Sequence, residues 1–530
     1  MKNVKKILFP IALAVTMSLS AFLVACGDKD DNNGGGGNTD KWRDESIWMT
    51  AEDLVPTAPA VMPEEIDFKD PAASVHDPSI FHDPVSDYYY AYGTHYAVAK
   101  TRSLADAWRS DVENGGWEQV ASDFDFTKLY GDDYITYNTN RWPAALKDTV
   151  ELVKPAADLT STWAPDVEYL NGKYYMYYSL TKSFGSNESA IARVESTSPE
   201  GPFTNNTILF DSMGANGAKD PNCIDPELFY DKEGKLWMVY GSASAGIFIK
   251  ELHAEGDKAG LPIRTKEEEG FGTLLWKSNG FGSTYGGNEE GPFVYYNAAT
   301  DYYYLMTSHG DLTSTYNMHV ARSKKPDGPY VGADNVSVAE AGNGNLVSGN
   351  YKFNRSGNSG SPYGALGHNS VIKDKDGKYY VVYHVRRANE SGVVTGGHNL
   401  YVNQIYFNEE GWPCMSPTAY VGETRGTFTD DQVATQYEIV IHQSPKAGLV
   451  RSAEYTLTAD GKVTGTGTQS TDSWTLKQGY YIELTIKGVT YKGVVAPGWD
   501  TYTRTASKQK AVITISAVSN EGISLWGIEK

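Results

Sequence analysis

The chain has 530 residues, a formal net charge of −20 and only three cysteines. A surface this acidic repels nucleic acid and anionic lipid, so it excludes nucleic acid as a partner and favours a neutral or basic substrate. Three cysteines in a chain of this length do not make a disulfide framework, and their spacing does not indicate a zinc site.

The N-terminus has the pattern of a bacterial lipoprotein signal. Three lysines precede an apolar stretch that ends in small residues before Cys26, which is the predicted lipid-bearing first residue of the mature protein. The alternatives are an ordinary cleaved signal and a membrane-spanning helix. Residues 1–25 are therefore predicted to be a signal peptide, and residues 26–66 a flexible tether and lead-in.

An acidic run follows Cys26 directly, which resembles the export tag of surface lipoproteins in some Gram-negative bacteria. We therefore expect an outer-membrane lipoprotein that is exposed at the cell surface, with a periplasm-facing form as the alternative. Contact with the membrane is expected through the N-terminal lipid only.

One pattern occurs five times between residues 67 and 426. Each copy opens with polar residues near Pro or Asn, continues into a short apolar stretch, turns on Asp, Asn or Gly, and returns as an aromatic run with period-two alternation. This pattern is typical of a β-hairpin. Five such units predict an all-β fold with a five-bladed β-propeller. The copies are HDPSIFHDPVSDYYYAYG from His76, APDVEYLNGKYYMYYS from Ala164, DPELFYDKEGKLWMVYGS from Asp225, EGPFVYYNAATDYYYLMTS from Glu290 and HNSVIKDKDGKYYVVYHV from His368.

The pattern changes after the propeller region. Residues 427–530 alternate apolar and polar residues between tight glycine turns, which predicts a small antiparallel β-barrel or sandwich. This segment has no cluster of carboxylates or histidines, so we expect a separate, non-catalytic domain packed against the propeller.

The openings of the repeats converge on the propeller axis and bring acids together. Asp77 opens the first repeat, Asp166 lies two residues after the equivalent point, and Glu290 lies just before it. Glycoside hydrolysis needs two carboxyl groups in different protonation states, and such a hub supplies them from distant parts of the sequence. Turn-forming Asp residues at strand starts are the alternative interpretation.

These motifs resemble glycoside hydrolase family 43, and within it the arabinanase-type branch. The resemblance follows the order of the family's motifs across nearly all of the propeller. The matching segments are HDPSIF from His76, WAPDVEYLNGKYYMYYS from Trp163, SFGSNESAIA from Ser183, NCIDPELFYDKEGKLWMVYGS from Asn222, EGPFVYY from Glu290, STYNMHVARS from Ser314, GPY from Gly328, GHNSV from Gly367 and GWP from Gly411.

The resemblance implies roles for the three acids. Asp77 would be the general base, Glu290 the general acid, and Asp166 the residue that orients the acid and raises its pKa. Glu289 is the rival for the acid, but the family's acid directly precedes a small residue and Pro, as Glu290 does. The family inverts configuration, which implies about 6.5–9.5 Å between base and acid.

The resemblance also implies a metal ligand. His368 matches a ligand to a central ion, usually calcium, and the alternative is an imidazole that only makes hydrogen bonds, because calcium prefers oxygen. No organic cofactor is expected. Sugar rings need flat apolar faces edged by hydrogen-bonding groups, and the candidate substrate-binding residues are His76, Trp142, Trp163, Phe184, Asn222 and Asp225.

Together these features predict a monomeric, inverting hydrolase of plant cell-wall α-1,5-linked L-arabinan that cuts within the polymer. One alternative is an exo-acting arabinofuranosidase or a xylan-directed family member. A second alternative, from another class, is a non-catalytic glycan-binding surface lipoprotein.

Overall fold

The computed structural model describes residues 54–62, 65–67, 73–108, 116–122, 162–181, 185–217, 219–280, 287–355, 361–444, 448–503 and 509–530. Cys26, Trp142 and Phe184 lie outside these ranges. Within them, no helix is both long enough and apolar enough to cross a membrane. Cys223 and Cys414 are buried free thiols.

Five antiparallel sheets form the blades of a propeller, which confirms the predicted fold class. The inner strands contact one another in a closed cycle, so the sheets surround one axis. The strands are β1 Ser79–His82, β2 Tyr89–Tyr92, β3 Val98–Thr101 and β4 Glu118–Ala121 in blade I; β5 Thr162–Leu170, β6 Lys173–Thr181, β7 Ser189–Ser196 and β8 Thr204–Asp211 in blade II; β9 Glu227–Tyr230, β10 Leu236–Tyr240, β11 Gly246–Leu252 and β12 Thr273–Lys277 in blade III; β13 Glu290–Asn297, β14 Tyr302–His309, β15 Asn317–Ser323 and β16 Asn345–Ser348 in blade IV; and β17 Tyr351–Lys352, β18 Tyr363–Lys373, β19 Tyr379–Arg387, β20 Asn399–Phe407 and β21 Pro413–Met415 in blade V.

Each predicted hairpin forms the two innermost full strands of one blade. In blade II, β5 and β6 pair around Asn171 and Gly172, which have φ values of 50° and 79°. Two consecutive positive φ angles match the right-handed twist of the strands and explain the Asn-Gly dipeptide. A short helix, α1 Lys266–Glu269, joins β11 to β12 in blade III.

Tyrosines fill the spaces between blades. Between blades IV and V, Tyr295 stacks on Tyr304 with ring centroids 5.1 Å apart, and Tyr379 donates a hydrogen bond of 2.8 Å to the carbonyl of Tyr296. Each ring buries a large apolar face, and Tyr304 and Tyr379 also satisfy their hydroxyls at the edge, whereas the Tyr295 hydroxyl is buried without a partner. The aromatic-rich second strands of the repeats are therefore mainly structural.

The C-terminal domain is one eight-stranded antiparallel sheet that curls into a near-barrel. Its edges meet at the bridge between Lys462 and Ser473. Buried side chains, including Tyr437, Trp474 and Tyr491, fill its interior. Its elements are α2 Asp430–Val433, β22 Gln436–Ile441, β23 Val450–Arg451, β24 Ala453–Leu457, β25 Val463–Gly465, β26 Trp474–Lys477, β27 Tyr481–Ile486, β28 Val489–Trp499, β29 Ala511–Ser519 and β30 Ser524–Glu529. The predicted limits of the domains, 67–426 and 427–530, stay predictions.

The two domains share a sheet and a buried ion pair. Strand β23 of the C-terminal domain pairs in parallel with β17 of blade V. Close to this junction, Arg355 Nε donates to Asp500 Oδ2 at 2.9 Å, and Arg355 Nη1 donates to the carbonyl of Glu529 at 2.7 Å. Both charged side chains are about nine-tenths buried, at 9% and 10% exposure.

We expect Arg355→Met to destabilise the protein by about 3 kcal/mol, because it leaves the Asp500 carboxylate buried without its partner. Urea unfolding gives this value. The matched control is Lys477→Met, which removes an exposed ion pair with Glu409 across the same interface and should cost less than about 1 kcal/mol. Equal effects of the two substitutions would contradict the importance of the buried pair.

Candidate active site on the propeller axis

A residue with a positive φ lies just before the inner strand in blades I and III, and at a break in strand register within it in blades II, IV and V. These residues face one narrow cavity on the axis, and proline follows in four blades, while Asn369 follows in blade V. We call them the first ring: Asp77, Ala164, Asp225, Gly291 and His368, with φ values of 53°, 40°, 55°, 54° and 47°.

A second ring lies two residues further along each inner strand. Alternate residues of a strand share a face and lie about 6.6 Å apart, so the second ring is one step deeper in the same cavity. Its members are Ser79, Asp166, Glu227, Phe293 and Ser370, and all of them line the cavity. Asp166 lies two residues after the position of Asp77 in its repeat, and it therefore lies deeper in the cavity than Asp77.

Asp77 is surrounded by imidazoles. Its Oδ1 lies 3.1 Å from His76 Nε2 and 3.2 Å from His368 Nδ1, and the Thr94 hydroxyl donates to Oδ2 at 2.6 Å. Burial alone would raise the pKa of Asp77, but the neighbouring imidazoles of His368, His76 and His384 outweigh it and hold the pKa well below its usual value. Asp77 is therefore ionised at neutral pH.

Glu290 lies one residue before the first-ring residue Gly291, and its pKa is raised where that of Asp77 is lowered. Burial raises its pKa to about 7, and the negative charge of Asp77 adds to the rise. The Ser242 hydroxyl and the Asn288 amide each donate to Glu290 Oε2 at 3.1 Å, which fixes the carboxyl group. A large fraction of Glu290 is therefore protonated near neutral pH.

Asp225, predicted as a sugar-binding residue, is the carboxyl group coupled to Glu290. Burial raises its pKa well above the usual value, and the charges of Glu290 and then Asp77 add to this. Its Oδ2 accepts a hydrogen bond of 3.1 Å from the backbone N–H of Gly291, the residue next to Glu290. Asp225 and Glu290 therefore titrate as a pair.

Asp166 does not occupy the position that the resemblance implied for it. It accepts hydrogen bonds from the Ser79 hydroxyl at 2.6 Å and from the N–H of Leu228 at 2.9 Å, both in the second ring or just after it. Burial raises its pKa to about 6. Its carboxylate neighbour is Glu227, not Glu290. The correction follows from depth, since Asp225 is in the first ring and Asp166 in the second.

Sequence reasoning did not single out Glu227 or Asn369. Glu227 Oε2 accepts from the N–H of Val294 at 3.1 Å, while Oε1 and both polar side-chain atoms of Asn369 are buried without a hydrogen-bond partner. The position of Glu227 could have been found, because it matches Asp166 when the repeats are aligned on their prolines.

Three histidines form a cluster behind Asp77. One ring nitrogen from each of His76, His384 and His398 lies within 4.8 Å of the others. However, the rings of His76 and His398 are stacked, with centroids 3.8 Å apart and planes 12° apart. A metal lies in the plane of each imidazole that binds it, so two stacked rings do not direct their lone pairs at one ion. The cluster packs against Asp77 instead of forming a metal centre.

The remaining predicted residues lie at the edge of this site or outside the described ranges. Asn222 is buried and forms an isolated antiparallel β-bridge with Ser242, the residue whose hydroxyl contacts Glu290. Trp163 is half-buried in β5, beside the first-ring residue Ala164. Trp142 and Phe184 are outside the described ranges, so their predicted role stays a prediction.

The fold and motifs match one known family. Residues 68–413 match the model of glycosyl hydrolases family 43, and residues 417–527 match that of a C-terminal lipocalin-like domain that accompanies it. The chain belongs to glycosyl hydrolase family 43.

Known relatives span both domains. An extracellular endo-α-(1→5)-L-arabinanase of Thermotoga petrophila is 33% identical over 491 residues, covering 86% of this chain and 93% of that protein. The extracellular endo-α-(1→5)-L-arabinanase 2 of Bacillus subtilis is 33% identical over 488 residues, covering 86% and 92%. The crystal structure of the T. petrophila endo-1,5-α-L-arabinanase superposes with a TM-score of 0.72 at 32% identity, covering 88% of this chain and all of that one.

The coupled carboxyl groups predict the pH dependence of this family 43 enzyme. With Glu290 as the expected general acid, kcat/KM on linear arabinan should fall as the pH rises through about 7, because the acid must be protonated to give a proton to the leaving oxygen. Asp225 and Glu290 lose their protons as a pair, so a singly ionised pair can carry its charge on Asp225 and keep the proton on Glu290. Asp225→Asn removes this state and should move the fall to lower pH. Asp166→Asn, one step deeper, is the control and should leave it in place. A fall that moves with Asp166→Asn but not with Asp225→Asn would contradict the assignment.

Proposed function

We propose that this protein hydrolyses α-1,5-linked L-arabinan with inversion, by cutting within the polymer. The observation that carries the proposal is the difference in protonation between Asp77 and Glu290, with the pKa held well below its usual value for one and raised to about 7 for the other. The substrate follows from the two endo-arabinanases that match this chain along most of their length.

The reaction follows from these two charge states. Ionised Asp77 takes a proton from a water molecule as the water oxygen bonds to the anomeric carbon. The bond from that carbon to the glycosidic oxygen breaks, and Glu290 gives its proton to the leaving oxygen. Asp77 is then protonated and Glu290 ionised, and proton exchange with solvent restores both. One displacement inverts the configuration.

Asp225 supports the acid and not the base. Its carboxyl group is coupled to Glu290 and bonded to the N–H of Gly291. Any negative charge on Asp225 disfavours ionisation of Glu290 and so keeps the acid protonated before bond cleavage. We therefore propose for Asp225 the role that the sequence resemblance gave to Asp166.

Calcium on the axis is also part of this proposal. The cavity offers mainly oxygen donors, including Glu227 Oε1 and the Asn369 side-chain oxygen, which have no other partner. This donor set suits a hard cation. His368, whose Nδ1 faces Asp77, would hold the ion through its other ring nitrogen, and the ion would supply positive charge beside the acids. A chelator that leaves both the thermal midpoint and the activity unchanged would contradict this.

We further propose that the protein is secreted and anchored by a lipid on Cys26 to the outer membrane, facing the cell surface. The two relatives named above are extracellular, and Cys26 directly follows the predicted signal peptide of residues 1–25. Cys26→Ser should release the protein from the membrane fraction. A Cys26→Ser variant that stays in the membrane fraction would contradict the lipid anchor.

The size of the early products tests the cleavage mode. Linear arabinan should first yield a mixture of arabino-oligosaccharides, and release of arabinose alone from the outset would favour the exo-acting alternative. Glu290→Gln keeps the shape of the side chain but removes the proton, so kcat should fall by about 10²- to 10⁴-fold while oligosaccharides still bind.

The matched control is Glu289→Gln. Glu289 is buried and bonded to the Ser278 hydroxyl at 2.6 Å and to the N–H of Asn279, so it lies among structural partners. Its substitution should change kcat by less than about tenfold. A wild-type protein that binds arabinan without hydrolysing it would support the glycan-binding alternative.

A further inference from the structure

When the five repeats are aligned in sequence, one shared position lies close to the end of the second strand of each hairpin. Four blades have a hydroxyl residue there, and blade V has His384. The repeats read YAYGT to Thr94, YMYYS to Ser179, MVYGS to Ser242, YLMTS to Ser308 and YVVYH to His384. The fivefold repeat therefore isolates His384 as the departure from a shared pattern.

Three of the four hydroxyls hold first-ring residues. The exception is Ser242, which donates to Glu290, while the N–H of Gly291 bonds to Asp225. Thr94 accepts a hydrogen bond from the N–H of Ala164 at 3.0 Å, Ser179 from Asp225 at 2.8 Å, and Ser308 from His368 at 2.7 Å. In each case the N–H belongs to the first-ring residue of the next blade, whose φ is positive. These bonds keep the strained backbone of these residues in place.

His384 performs the same task for the proposed base. Its Nδ1 accepts a hydrogen bond of 3.2 Å from the N–H of Asp77. The imidazole is fully buried, lies parallel to the Tyr316 ring at 5.6 Å and meets His398 edge to face at 4.6 Å. These contacts fix the ring plane and so fix the direction of the acceptor.

A hydroxyl that accepts a hydrogen bond can still donate its own proton from the same oxygen, whereas an imidazole nitrogen that accepts has no proton to donate. Thr94 accepts from Ala164 and still donates its own proton to Asp77 Oδ2. A neutral imidazole that accepts at Nδ1 carries its proton at Nε2. The Nδ1 atom is 3.5 Å from Asp77 Oδ1, yet it has no proton to give. His384 therefore holds the backbone of Asp77 without adding a hydrogen bond to its carboxylate.

We propose that His384 is a positioning residue for the base Asp77, an inference that rests on the proposed function. It fixes the left-handed backbone of Asp77 by accepting a hydrogen bond from the N–H. Unlike a hydroxyl in its place, it does not donate a hydrogen bond to the Asp77 carboxylate. The carboxylate is thereby aimed at the attacking water while it keeps its ability to take a proton.

Two substitutions separate positioning from packing. His384→Asn places an amide oxygen near the position of Nδ1 and keeps the acceptor without the ring. His384→Phe keeps the ring and removes the acceptor. On linear arabinan the Asn variant should keep kcat within about tenfold of wild type, while the Phe variant should lose about 100-fold, both with KM changed by less than about threefold. Packing alone would give the reverse order, and that order would overturn the proposal, as would equal values for the two.

Two further measurements keep the test decisive. Near-UV circular dichroism and the thermal midpoint establish that each variant is folded, and His384→Met is a second acceptor-free variant if the Phe protein does not fold. A crystal structure of the acceptor-free variant needs no turnover, so it remains informative even if wild type does not cut arabinan. Asp77 should leave its positive φ or move its carboxylate by about 1 Å, and an unmoved Asp77 would overturn the proposal.

Discussion

Four buried carboxyl groups and the half-buried Glu290 lie close to the axis of this propeller, and they cannot all be ionised at once. They are Asp77, Asp166, Asp225, Glu227 and Glu290. Burial disfavours the charged form of each, and their mutual repulsion adds to this. The pKa is raised for four of them and lowered only for Asp77. The chemistry of the site follows from this one difference, because Asp77 alone is enclosed by imidazoles.

The deeper acids also connect the blades. In the second ring, a side chain of one blade accepts a hydrogen bond from the backbone of the next, as Asp166 does from Leu228 and Glu227 from Val294. Ser370 does the same for Ile80 and links blade V to blade I. A carboxyl group remains an acceptor when protonated. These links therefore persist while the charge on the axis stays low.

Much of this arrangement was predictable from local sequence. The five hairpins, Asp77 and Glu290 are each encoded by a short motif whose residues are adjacent. The roles of Asp225 and Asp166 are harder to tell apart from the sequence, because each lies next to a proline. Asp225 precedes its proline and Asp166 follows its own. What separates them is one step of depth along the strand, set by the single residue with a positive φ.

Some residues of the site carried no local signal that we recognised. His384 and His398 come from the second strand and the following loop of blade V, and their partners are in blade I. Only a comparison of the five repeats shows that His384 replaces a hydroxyl residue. Trp142 and Phe184 fall between the repeats in the sequence, where the repeated pattern gives no register.

The described residues of the C-terminal domain join it to blade V through a shared sheet. Although its family model is lipocalin-like, aromatic and aliphatic side chains fill the space inside the sheet. Its strand β23 instead extends the sheet of blade V. The same blade supplies His368 from β18, His384 from β19 and His398 just before β20. The domain that extends this sheet therefore packs on the blade that carries three of the imidazoles around Asp77.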